Sequence, residues 1–177
     1  MKQLVCTTPH HFEYMDAEMP VANTGETLLK IERIGICGTD LHAYEGTQPF
    51  FNYPAILGHE LAATIIETNA NGFEIGEQVT IVPYFNCGTC IACREGKENC
   101  CTSIRVFGVH INGGMREYVT VPDSALVKSN GLGLDELALV EPLAIGAHGV
   151  RRAQVKPSDY VLVVGAGPIG LGTMEFA

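Results

Sequence analysis

The chain has 177 residues, 46% of them hydrophobic, which suits one packed domain, or a domain and part of a second, and is too apolar for a disordered segment. Eleven basic and 20 acidic residues give a net charge of −9, which speaks against a protein that grips nucleic-acid phosphates. No apolar run is long enough for a signal peptide or a membrane span, so a cytoplasmic location is expected, and the seven cysteines point to metal or catalytic roles rather than disulfides.

In chain order, short strands come first. Thr27–Ile34 is part-alternating and closed by Gly35; Leu61–Ile66 is apolar and β-branched; Gln78–Val82 follows Gly76; Glu117–Val121 is stopped by Pro122. Short strands with regular turn signals predict a barrel or sandwich over the first 130 or so residues. Residues 86–101 are Cys-rich, polar and aperiodic, which reads as a loop held by something other than a core. From Asp135 the pattern becomes helical and ends at Arg151-Arg152. Pro157-Ser158-Asp159 then turns into Tyr160–Val164, a continuous apolar run of the kind buried in parallel sheets, and Ile169–Ala177 reads as the start of a helix. A domain boundary is expected near residue 155, giving residues 1–155 as one unit and 156–177 as the opening of another.

Three motifs carry chemistry. Cys87, Cys90, Cys93 and Cys101 have the spacing C-x2-C-x2-C-x7-C, which lets one loop turn four thiolates on a single centre. Four thiolates in a tetrahedron make a closed structural zinc site; the alternatives are free thiols, or disulfides in an exported protein. Cys100 is surplus to that set. The second motif is dispersed: Cys37 within GICGTDLH, His59 and Glu60 within GHE, and Glu141 within LVEPL. Each is weak alone, since a lone cysteine is usually a small buried hydrophobe and Glu141 could simply cap or salt-bridge a helix. Together, a thiolate, an imidazole and a carboxylate from separate segments can hold zinc and leave a coordination position open. The third is Gly165-Ala166-Gly167-Pro168-Ile169-Gly170, a G-x-G-x-x-G turn between an apolar run and a helix, the context for a dinucleotide pyrophosphate. The acidic residue expected about 20 positions further on, which would meet the ribose, lies past Ala177.

These motifs, in this order, resemble the zinc-containing medium-chain dehydrogenases, and the resemblance runs over nearly the whole chain. It implies a mainly β fold with short helices, a GroES-like barrel catalytic domain followed by the truncated start of a Rossmann fold. It further implies two zinc ions per chain, one structural on Cys87, Cys90, Cys93 and Cys101, and one catalytic on Cys37, His59 and a carboxylate from Glu60 or Glu141, one at a time. Asp40 would orient His59, Thr39 would accept the substrate hydroxyl proton, and His42 would pass it to solvent. Gly165, Gly167 and Gly170 would receive NAD(P). Glu141 in place of a cysteine looks like the polyol branch. Thr47–Pro54, Gly108-Val109-His110 and Gly113-Gly114 resemble bacterial sugar-acid oxidoreductases of the L-galactonate type, with Phe50 and Phe51 as candidate pocket residues or ordinary core. The expected partners are therefore a small alcohol, polyol or sugar acid, and a further copy of the chain in a homo-oligomer at full length, with no nucleic acid and no membrane. The chain is expected to be a piece of a longer enzyme and inactive by itself. A non-catalytic zinc scaffold and a zinc-free quinone reductase on the same barrel are the competing readings, separated by zinc stoichiometry.

Overall fold

The computed structural model describes residues 1–49 and 51–177, so the expectation for Phe50 lies outside the described residues. Among these residues the fold is mainly β. It contains strands β1 (Lys2–Thr8), β2 (His11–Asp16), β3 (Glu26–Gly35), β4 (Glu60–Glu67), β5 (Gln78–Ile81), β6 (Tyr84–Phe85), β7 (Arg105–Val106), β8 (Tyr118–Pro122) and β9 (Leu126–Lys128). The helices are α1 (Gly38–Glu45), α2 (Ile91–Arg94), α3 (Leu134–Ala153) and α4 (Pro168–Phe176).

A five-stranded antiparallel sheet in the order β8-β3-β4-β5-β9 forms the frame. The hairpin β1-β2 attaches to it through bridges of Gln3 to Arg116 and Cys6 to Ala55, and β6-β7 form a separate short ladder. Alternation along β4 explains why it lies at the centre. Leu61, Ala63 and Ile65 face the main core with Leu29, Val79, Val119 and Val121, while Ala62 turns to the opposite side and meets Leu137 and Ala138 of α3. A strand covered on both faces reads as a nearly unbroken buried run, and Glu60–Ala63 are all buried. A second cluster, Val5, Cys6, Ala43, Phe51, Ile56, Leu57 and Met115, seals the hairpin against α1. Phe51 is thus part of the core.

The four strands expected from the sequence are present within a residue or so of their predicted ends. The apolar run Tyr160–Val164, read from the sequence as a strand that needs further chain to pair with, is irregular here. It has no ladder partner and no regular structure, and Tyr160, Leu162 and Val164 are 104%, 86% and 88% exposed. A strand exists only where a neighbour takes its backbone hydrogen bonds, and among the described residues no other strand comes alongside this one. The hairpin β1-β2 and helix α1 were not anticipated. The alternation of Phe12 with Tyr14 was the available signal for the first. For the second it was the Cys37-x-x-Asp40 box ahead of an eight-residue helix.

Candidate metal centre and cofactor turn

Cys37 is the N-cap of α1, in extended backbone at the end of β3. Asp40 closes that cap: its Oδ2 accepts the Cys37 backbone N–H at 2.9 Å. Its Oδ1 accepts the backbone N–H of Gly58 at 3.1 Å. One buried carboxylate therefore ties the Cys37 turn to the segment that carries His59. Gly58 has φ +92, a left-handed conformation that a side chain would strain, and it turns the chain so that His59 and Glu60 enter the head of β4. Gly113 packs so close to this turn that a Cβ on it would lie 2.4 Å from the Gly58 carbonyl oxygen.

The result is a compact group. One donor atom each from Cys37, His59 and Glu60 lies within 4.8 Å of the others. His59 and Glu60 are buried, 6% and 7% exposed. Glu60 also pairs in register with Gly35, and a Cβ there would lie 2.1 Å from Glu60 Oε2, so only glycine leaves room for the carboxylate. Burial raises the pKa of Glu60, partly countered by the charge of His59. Burial acts to lower the pKa of His59, but its hydrogen bond with Cys37 and the charges of Asp40, Cys37 and Glu141 outweigh that and raise it. His59 Nδ1 is buried without a hydrogen-bond partner and sits 4.0 Å from Asp40 Oδ1, beyond hydrogen-bond reach. Asp40 therefore makes no hydrogen bond to His59; its oxygens accept from the backbone N–H groups of Cys37 and Gly58.

Glu141 arrives from α3. Leu137, Ala138, Glu141 and Pro142 are the inward face of that helix, at spacings of one, three and four residues, so docking Leu137 and Ala138 on β4 delivers Glu141 to the site. It is 8% exposed and outside the three-residue group; the Tyr84 hydroxyl donates to its Oε1 at 3.3 Å. Burial raises the Glu141 pKa, and the nearby Glu60 adds to this. Burial first, and then the Glu141 charge, push the Tyr84 hydroxyl to about 12, so it stays a donor. Among the described residues no lysine or arginine forms an ion pair with Glu60 or Glu141. A thiol, an imidazole with an orphaned nitrogen and two buried carboxyls without a cation form a donor set that fits a divalent ion such as zinc.

Thr39 and His42 lie on α1 one turn apart, Thr39 half-buried and His42 exposed. His42 Nδ1 is 3.2 Å from the Thr47 hydroxyl and 3.4 Å from Glu45.

The four-cysteine loop also closes. Its Sγ atoms all lie within 4.8 Å of one another, with Cys87–Cys93 at 3.9 Å and Cys90–Cys93 at 3.4 Å. Tetrahedral Zn–S bonds would set sulfurs about 3.8 Å apart. Backbone N–H groups of Cys93 and Thr102 lower the Cys90 thiol to about 5, and those of Thr89 and Cys90 lower Cys87 to about 7. Burial raises Cys93 to about 11. Cys100 stands outside the group.

The glycine turn has the backbone its motif needs. Gly165 has φ +106, a Cβ on Gly170 would lie 2.1 Å from the Gly165 carbonyl oxygen, and Gly167 caps α4 with Pro168 as its first residue. This turn and the metal group border one cavity of about 420 Å³, lined by Cys37, Gly38 and Glu60 on one side and Gly165, Gly167 and Gly170 on the other.

A profile of the alcohol dehydrogenase GroES-like domain matches residues 23–131, and the chain belongs to that family. It is 46% identical over 179 residues to L-galactonate-5-dehydrogenase of Escherichia coli K12, covering 100% of this chain and 53% of that protein. An uncharacterised zinc-type alcohol dehydrogenase-like protein of Haemophilus influenzae is 38% identical over 97% of this chain and 51% of its own length. A solved structure of an E. coli CFT073 short chain alcohol dehydrogenase complexed with NADH superposes with a TM-score of 0.89 at 36% identity, covering 97% of this chain and 51% of that one. The chain thus spans about half the length of the relatives it matches.

Proposed function

We propose that this chain supplies the metal-holding half of a zinc-dependent dehydrogenase that transfers hydride between a polyol or sugar acid and a nicotinamide cofactor. The observation that carries the reading is the single cavity bordered by both Cys37 and Glu60 and the Gly165–Gly170 turn. Hydride transfer needs the carbinol carbon beside the cofactor ring, so the group that binds the hydroxyl and the turn that binds the pyrophosphate must share one space.

Zinc bound by Cys37, His59 and Glu60, with Glu141 as the exchanging carboxylate, would supply Lewis-acid polarisation of the substrate oxygen. Asp40 ties the Cys37 and His59 segments together and sets its carboxylate beside the His59 imidazole. Thr39 Oγ1 accepts the substrate hydroxyl proton as it releases its own toward the exposed imidazole of His42, which passes a proton to solvent. Gly167 leaves the N-terminal N–H groups of α4 open to a pyrophosphate. The thiolates of Cys87, Cys90, Cys93 and Cys101 hold a second, structural zinc, because four ligands leave no position for substrate. Residues 1–155 form the metal-binding unit and 156–177 open the nucleotide-binding one. The similarity to L-galactonate-5-dehydrogenase favours a sugar acid as substrate. In the 177-residue chain one helix and one turn make an incomplete nucleotide site, so no turnover is expected from it, and a homo-oligomer is expected at full length.

Elemental analysis tests this. Two zinc ions per chain, falling to one in Cys87→Ser, support the reading. One ion falling to none leaves only the cysteine loop metallated and overturns the catalytic centre. NADH formation from L-galactonate by the 177-residue chain alone would overturn its assignment as an inactive half.

A further inference from the structure

We infer that Tyr84 is a positioning residue that holds the Glu141 carboxylate away from the Cys37–His59–Glu60 group, so that one carboxylate and not two closes on the metal. This rests on the metal-centre reading above. Tyr84 is well placed to act on Glu141 because its backbone is fixed on both sides. It pairs with Val106 in the β6-β7 ladder, the Pro83 carbonyl accepts the Phe107 N–H at 2.8 Å, and the next residue, Phe85, packs its ring on Phe107. The hydroxyl then reaches Glu141 Oε1 at 3.3 Å.

Two further observations support a restraining role. Glu141 is buried beside the group yet falls outside the set whose donor atoms lie within 4.8 Å of one another. Tyr84 and Glu141 both border a second cavity of about 420 Å³, whose lining includes Val140, Ala144 and His148 but none of Cys37, His59 and Glu60. The hydrogen bond thus draws the carboxylate to the wall of this second cavity. Charge explains the use of such a restraint. A Cys37 thiolate and one carboxylate balance a divalent ion, and a second carboxylate would leave a buried net negative charge and occupy the place a substrate oxygen needs.

The test is a cobalt(II) titration of the chain with zinc already in its cysteine loop, followed by imidazole as an external ligand, read by visible absorption. In Tyr84→Phe the freed Glu141 is expected to join the metal. Cobalt then binds more tightly, and imidazole more weakly, by about tenfold, the size of one hydrogen bond to a charged group. Tyr84→Phe/Glu141→Gln is expected to return both affinities to those of the parent. Cobalt and imidazole affinities unchanged in Tyr84→Phe overturn the inference. So does a double variant that keeps the altered affinities, since Tyr84 would then act through packing. A parent chain that takes up no cobalt beyond its cysteine loop instead overturns the metal-centre reading.

Discussion

Gly35 contributes to the site through the side chain it lacks. The Glu60 carboxylate occupies the volume a Cβ would fill, 2.1 Å from the nearest oxygen, and the Glu60 Cβ would be only 2.8 Å away. Gly35→Ala must therefore push Glu60 out of the group. Zinc affinity at Cys37–His59–Glu60 is expected to fall about tenfold or more in a chelator competition, with the cysteine-loop zinc unchanged. Asp40 is the other residue whose role exceeds its motif. Asp40→Ala leaves the buried N–H of Gly58 and the N–H of Cys37 without their acceptor, and should lower stability by about 1–3 kcal/mol in urea unfolding. Asp40→Asn keeps one acceptor oxygen and should lose less.

At the scale of elements, the cysteine loop and α3 are held in opposite ways. Residues 87–101 contain one helical turn and a 3-10 turn, and Cys101 is their one buried residue. A segment with so little apolar burial would depend on the proposed zinc for its order. Stripping zinc with a strong chelator, or Cys93→Ser, is expected to open this loop to limited proteolysis while the strands of the main sheet keep their hydrogen-exchange protection. Helix α3 is held by its apolar face, where Leu137 is fully buried against Ala62. Leu137→Ala should cost about 2–5 kcal/mol in urea unfolding.

For the whole molecule, the crossing of α3 and α4 sets where the glycine turn lies. Gly146 is so close to α4 that a Cβ would meet the backbone of Gly172 and Thr173 at 2.9 and 2.8 Å. Gly146→Leu is expected to lift α4 from α3. Amide exchange over 168–176 should then rise to that of exposed chain, while the residues of the five-stranded sheet keep theirs. The cavity between Cys37 and Gly165 depends on that contact.

Much of this was legible in the residues. Four cysteines at two- and seven-residue gaps meet whatever the rest of the fold does, because a short loop has few other ways to turn four thiolates inward. Part-alternation placed β3, and short apolar or β-branched runs bounded by Gly76 and Pro122 placed β4, β5 and β8. The helical pattern from Asp135 to Arg152 marked α3, though not the face it buries. Tertiary contact decided the remainder. Tyr160–Val164 is strand-like in composition, but a strand is a relation between two segments and none pairs with it. Tyr84 shows no motif, and its part depends on β6 and α3, 57 residues apart, coming within a hydrogen bond. Cys37, His59 and Glu60 could be nominated from their neighbours, but which carboxylate joins them depends on the packing of α3 on β4. Local sequence determines donor chemistry and periodicity; the distances between donors depend on burial and hydrogen bonds summed over the whole chain.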